Sequence, residues 1–180
     1  MVRSSKEDAL DEEQRRKLFD ACEKNKETFV CKVLCYTGLR ASEFTHMKNS
    51  WLDWQQESIH IPREDGDWTP KTQHAVREIP LMFEAKKLLY NHFQLRNEID
   101  MSRTTVYRIV RRAGRRVEGP FPKVYPHSLR ATFASMLAAN GLSAIDIQSI
   151  MGWAKIETAN KYVRAIQTKQ NFNEKMKGVQ

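Results

Sequence analysis

The run P-H-S-L-R-A-T-F-A, residues 126–134, opens a helix and sets two cationic side chains at its start. Pro126 suits a first helical turn, where its missing N–H leaves no bond unmade. Leu129, Phe133, Met136 and Leu137 recur at helical spacing and predict a buried side. Ala131, Ala134 and Ala138 leave a smooth face for a close neighbour. His127 and Arg130 are i,i+3 neighbours at the end of the helix that already favours an anion, because its first N–H groups are unpaired and its dipole is positive there. Alone, the two would read as a capping histidine and a surface arginine.

Further along the chain, Gly141 fits a helix stop and Ser143 an N-cap for a helix over 143–151. Met151-Gly152-Trp153 follows, then a helix over 156–166 carrying Tyr162. Tyr162 shares a face with Thr158, Ala159 and Ile166, so in isolation it reads as a packed tyrosine. Towards the N-terminus, a linker over 118–126 with three prolines and a glycine separates this unit from a helix over 102–117, for which Ser102 is the N-cap. Earlier still, helices are predicted over 83–96, 27–36 and 11–24, with a short helical turn over 41–47 after the Thr37-Gly38 break. Three short strands are predicted over 51–54, 58–61 and 76–81, with a loop over 62–70. The predicted fold is α+β and mainly helical, with a small three-stranded antiparallel sheet.

The whole chain has 180 residues, of which 41% are hydrophobic, enough to bury the core of one domain. Thirty Lys and Arg against 22 Asp and Glu give a net charge of +8. Only seven glycines occur, in no phosphate-cradling pattern, so a nucleotide-binding fold is not expected. Three cysteines without a C-x-x-C argue against a disulfide framework or a structural zinc site, and they fit a reducing cytoplasm. No apolar run approaches the length of a membrane span. A polyanion is the partner these balances favour. The helix over 102–117 sharpens this: Arg108, Arg111, Arg112 and Arg115 fall on one face, with Arg103 at its start, and Val106, Val110, Ala113 and Val117 on the opposite face. Stacked like charges repel by a few tenths of a kcal/mol per pair, a cost a polyanion relieves. Two more cations stand out. Arg40 follows the Gly38 break with Glu43 three residues later, at the spacing of a helical ion pair. Lys71 lies between the second and third strands.

The order Arg40, Lys71, His127-x-x-Arg130, Trp153, Tyr162 resembles that of the tyrosine recombinase (phage integrase) family. The matching strings are T-G-L-R-A-S-E-F at 37–44, T-P-K-T with V-R-E-I-P-L within 69–81, H-S-L-R-A-T-F-A at 127–134, and I-Q-S-I-M-G-W ending at 153 with A-N-K-Y at 159–162. The similarity covers roughly residues 8 to 166 and looks most like archaeal members, including those of viruses and plasmids. It implies the catalytic-domain fold of that family and a DNA strand cut through a 3′-phosphotyrosyl link. Tyr162 would be the nucleophile, His127 the base, Arg40 and Arg130 the phosphate clamps, and Lys71 the acid for the leaving 5′-oxygen. Glu43 would support Arg40. Trp153 stands where the family often has histidine; its indole N–H can donate to a phosphate oxygen but shuttles no proton. No metal and no cofactor are implied. The implied partner is double-stranded DNA, with self-association into a tetramer on DNA and a lone domain monomeric in solution; no membrane is involved. Family members usually carry an N-terminal core-binding domain, which the residues before the first helix cannot supply. A single catalytic domain over 1–180, with a tail over 167–180, is therefore expected. Two other readings compete: a type IB topoisomerase-like nicking-closing enzyme, and a non-catalytic DNA-binding module of the same fold.

Overall fold

The computed structural model describes residues 9–70 and 72–176, with side chains described through 168 and at 171 and 172. The first helix, α1 (Glu12–Asp20), begins at a capping box in which the Asp11 carboxylate accepts from the Gln14 N–H at 2.8 Å and the Gln14 side chain accepts from the Asp11 N–H at 3.0 Å. It ends four residues short of the predicted Lys24, and only Leu18 of its predicted core side is fully buried; Phe19 and Cys22 are half-buried.

The central helix is α2 (Asn25–Thr37), which packs against three later helices, α4 (Phe83–Phe93), α5 (Arg103–Arg116) and α6 (Pro126–Ala139). Between α2 and α4 lies the short α3 (Ala41–His46). Val30, Val33 and Leu34 of α2 are fully buried, each stabilising the fold by roughly 1.5–3 kcal/mol relative to exposure. Gly38 closes α2 in the left-handed conformation at φ 61°, and a Cβ there would stand 2.4 Å from the Phe133 ring. Both the backbone angle and the close approach of α6 therefore require glycine.

Strands β1 (Leu52–Asp53), β2 (Ser58–Ile61) and β3 (Arg77–Pro80) form an antiparallel sheet in that order. The register pairs Ile59 with Ile79 and Ile61 with Arg77. Arg77 thus sits on the buried face, in phase with Ile79, and this face turns towards α7 (Ala144–Met151). Ser143 caps α7 and Ser102 caps α5, each accepting from an N–H three residues on. The last helix, α8 (Ile156–Met176), packs on α6 and α7. It runs ten residues beyond the predicted end at 166 and replaces most of the expected tail, because no Gly or Pro interrupts 156–176. Phe172 stands exposed on this extension. Among the described residues, no helix is long and apolar enough to cross a membrane.

Candidate active site

The last turn of α7 holds the site together. Three successive carbonyls at its end each accept from a different arginine: Ile150 O from Arg77 Nε at 2.8 Å, Met151 O from Arg130, and Gly152 O from Arg40 at 2.9 Å. A helix C-terminus leaves its final carbonyls unpaired and carries partial negative charge, so it can seat cations that would otherwise repel one another. Gly152 makes this turn possible. It is left-handed at φ 59°, and a Cβ on it would stand 2.5 Å from the His74 carbonyl oxygen and 2.8 Å from Arg77 Cδ.

Glu43 is the counter-charge. Its carboxylate accepts from both terminal nitrogens of Arg77, at 2.9 and 2.8 Å, from the Arg40 side chain at 2.6 Å and from the Arg40 backbone N–H at 2.8 Å. Burial alone would push the Glu43 carboxyl up. Hydrogen bonds and charge from Arg77, then the charges of Arg40 and Arg130, outweigh that and bring it down to about 2. The predicted Arg40–Glu43 pair therefore exists, but the two-pronged partner of Glu43 is Arg77, which sequence reasoning missed. The signal was present: Arg77 keeps step with Ile79 and Leu81 in an alternating strand, so it had to point inward. An inward arginine requires a buried acid.

Arg130 is buried, not the surface arginine its helix position alone suggested. Besides Met151 O it donates to Gly38 O at the end of α2, so two helix C-termini hold it. Burial, then the charges of Arg40 and Arg77, lower its pKa to about 9, which keeps it cationic at neutral pH. Its guanidinium carbon lies 5.9 Å from the centre of the Trp153 ring, and Trp153 stacks on Tyr162 at 5.4 Å with 16° between planes. Tyr162 is 1% exposed. The side chain of Arg40 is 31% exposed, which makes it the most accessible of the three cluster arginines.

His127 lies exposed in the first turn of α6, three residues ahead of Arg130. Lys71 lies outside the described residues. Of the basic helix, Val106, Val110 and Ala113 are buried as predicted, together with Ile109, while Val117 is half-buried. Arg103, Arg108, Arg112 and Arg115 are exposed, and Arg111 lies over the Tyr125 ring at 4.6 Å. Arg112 is also 4.0 Å from the Glu27 carboxylate, and Arg116 turns inward to Glu27 at 2.6 Å. None of these joins the arginine cluster. Arg103, Arg108, Arg111, Arg112 and Arg115 line a surface that starts between Ala41, Arg103 and Pro126 and continues past Tyr107 along α5.

A mainly helical domain thus gathers three guanidiniums and one carboxylate around the end of α7, with Tyr162 stacked on the neighbouring Trp153. The chain belongs to the phage integrase family, whose model matches residues 8–169. It is 27% identical over 170 residues to the tyrosine recombinase XerA of Saccharolobus solfataricus, covering 92% of this chain and 55% of the relative. It is 31% identical to the transposase from transposon Tn916 of Enterococcus faecalis, over 87% of this chain and 47% of that protein. The chain thus spans about half the length of these curated relatives. The crystal structure of XerA recombinase superposes with a TM-score of 0.74 at 24% identity, covering 92% of this chain and 62% of that one. The catalytic domain of bacteriophage HP1 integrase gives 0.62 at 22% identity, over 87% of this chain and 86% of that one. These superpositions bear out the predicted fold class.

Proposed function

We propose that this chain cuts and rejoins DNA strands as a site-specific recombinase or integrase, with Tyr162 as the nucleophile. The observation that carries the reading is the charge at the α7 terminus: three guanidiniums against one carboxylate leave two positive charges in excess, beside the Trp153–Tyr162 stack.

The steps follow from the residues. The Tyr162 oxygen bonds to phosphorus, and the bond from phosphorus to the 5′-oxygen breaks. His127 takes the phenol proton, and Lys71 gives a proton to the departing 5′-oxygen. A phenol of pKa near 10 costs about 4 kcal/mol to ionise at neutral pH, so a base and nearby cations are needed. Arg40 and Arg130 stabilise the charge that builds on the phosphate oxygens; removing one such donor costs on the order of 10²- to 10³-fold in rate. Their seats on carbonyls and on Glu43 orient them before the substrate arrives, so little reorganisation is left for the reaction itself. Trp153 orients the Tyr162 ring. Because Tyr162 is 1% exposed, a phosphodiester reaches it only after the side chains covering it move. The covalent link conserves the phosphodiester bond energy, so the reverse attack by a 5′-hydroxyl reseals a strand without a cofactor.

The partner is double-stranded DNA, held along the arginine face of α5 through Arg103, Arg108, Arg111, Arg112 and Arg115. The Tn1549 transposon integrase, a fold relative with a TM-score of 0.70, has been seen in complex with circular intermediate DNA, which supports this. Assembly into a tetramer on DNA and a cytoplasmic location complete the proposal; the free thiols of Cys22, Cys31 and Cys35 suit a reducing compartment.

A nicked suicide duplex tests it. The wild-type chain should give a slow-migrating covalent band, and Tyr162→Phe should abolish the band with DNA binding nearly intact. A band that survives would move the nucleophile to Tyr36, Tyr90, Tyr107 or Tyr125. Adduct formation without exchange between two matched sites would favour a nicking-closing enzyme, and binding with no adduct would leave a DNA-binding module.

A further inference from the structure

Three free thiols lie outside the arginine cluster, and the cleavage chemistry uses none of them. Cys22 stands two residues beyond the end of α1 and is half-buried; Cys31 and Cys35 lie one turn apart on α2 and are fully buried. The segment around Cys22 is strapped down on both sides. Ala21 O accepts from Arg116 of α5 at 3.5 Å, and the Glu23 N–H donates to a Glu27 carboxylate oxygen on α2 at 3.1 Å. Arg116 closes the loop by donating to that same oxygen at 2.6 Å. Glu27 and Cys31 are i,i+4 neighbours on α2, so the strapping brings Cys22 over the turn that carries Cys31. The two thiol side chains meet there and hydrogen-bond to each other. The Cys22 thiol also lies 3.4 Å from the Leu18 carbonyl oxygen.

The pair is unequal. The hydrogen bond from Cys31 lowers the pKa of Cys22, against burial and the charge of Glu27 and with help from the charges of Arg116 and Lys32. The same bond, then burial, holds the Cys31 thiol well above its usual range. Burial pushes Cys35 up to about 12. Thiolate character and access make a cysteine reactive. Cys22 has both, and Cys35 has neither.

We propose that Cys22 and Cys31 form a redox-reversible dithiol site, in which a peroxide oxidises Cys22 and Cys31 resolves it to a disulfide that staples the end of α1 to α2. The Cys22 thiolate attacks one peroxide oxygen, the O–O bond breaks, and the leaving hydroxide recovers as water the proton that Cys22 had released. Cys22 is then a sulfenic acid. The Cys31 sulfur bonds to the Cys22 sulfur, the S–O bond breaks, and the leaving hydroxide takes the Cys31 proton as a second water. Two thiols and one hydrogen peroxide thus give one disulfide and two waters; sulfur is oxidised and peroxide oxygen reduced. A thiol reductant reverses the link by exchange. The staple adds to a thin apolar hold, since Leu18 is the one fully buried side chain of α1.

The experiment treats the full chain with hydrogen peroxide and maps the tryptic peptides without reduction; Lys24, Lys26 and Lys32 separate the three cysteines. The map should show the Cys22 and Cys31 peptides joined, two hydrogens lighter than their sum, with Cys35 still free. Dithiothreitol should restore both thiols. Closing a ring of ten residues should raise Tm by about 5–10 °C, and dithiothreitol should remove the rise. Cys22→Ser should leave the buried Cys31 unoxidised. Cys31→Ala should stop Cys22 at the sulfenic acid, which dimedone labels. Sulfinic acid at Cys22 of the wild type without a link to Cys31, a link through Cys35, or a Tm that stays or falls on oxidation would overturn the proposal. If Cys31→Ala does not fold, the wild-type map and melt decide.

Discussion

Replacing Arg77 by alanine should destabilise the whole domain, although Arg77 is assigned no step in the chemistry. Its side chain is 3% exposed and donates to both Glu43 oxygens, to Ile150 O and to Ala75 O. Without it, a carboxylate that is 1% exposed keeps only Arg40. Breaking a buried pair from one side typically costs about 3–5 kcal/mol. The shift on Glu43, to which the charges of Arg40 and Arg130 also contribute, is of the same order. Glu43 falls from 4.5 to about 2, which at 1.36 kcal/mol per unit is roughly 3 kcal/mol. For a domain of this length, a loss of 3–5 kcal/mol lowers Tm by about 6–20 °C. Urea unfolding followed by tryptophan fluorescence, together with thermal melts, measures it. Glu43→Gln with Arg77→Met should cost less than the two single changes added, because neither partner is left charged and alone. A loss below about 1 kcal/mol for Arg77→Ala, or strict additivity in the double variant, would refute the view that the pair is an essential buried support.

The pH profile of stability carries the same signature. The folded pKa of Glu43 lies below its unfolded value, so its contribution is complete above about pH 4.5 and is lost as pH falls towards 2; Arg77→Ala should flatten that acid limb in pH-dependent urea titrations. Gly152→Ala places a Cβ 2.5 Å from the His74 carbonyl at φ 59°. A left-handed alanine alone costs about 1–2 kcal/mol, so melts should show at least that loss and single-turnover cleavage should slow as the three arginine seats shift. Arg130→Lys keeps the charge but cannot bridge the Gly38 and Met151 carbonyls as a planar fork does, and adduct formation should drop on the order of 10²-fold. Arg108→Ala, on the exposed face of α5, should weaken DNA binding alike on all sequences and reduce the salt slope by about one unit in a binding titration.

Much of the fold could be read from local pattern. The period of the valines marked the inner face of α5, Ser102 and Ser143 marked helix starts, and three short strands stood out between turn residues. These signals are legible because each depends on neighbours within one or two turns of chain. The end of α8 was misplaced because nothing local stops that helix where its packing side runs out. The candidate site divides along the same line. Arg40, Glu43, His127, Arg130, Trp153 and Tyr162 could be named from their order along the chain, but what binds them to one another could not. Three carbonyls at the end of α7 meet arginines from the N-cap of α3, from β3 and from α6, at separations of 112, 73 and 21 residues. Which carbonyl faces which guanidinium depends on how the helices cross, and so does the preference of Glu43 for Arg77, 34 residues away, over its near neighbour alone. Composition and periodicity carry the elements; the charge balance of a buried cluster is a property of distances, and those exist only once the chain has packed.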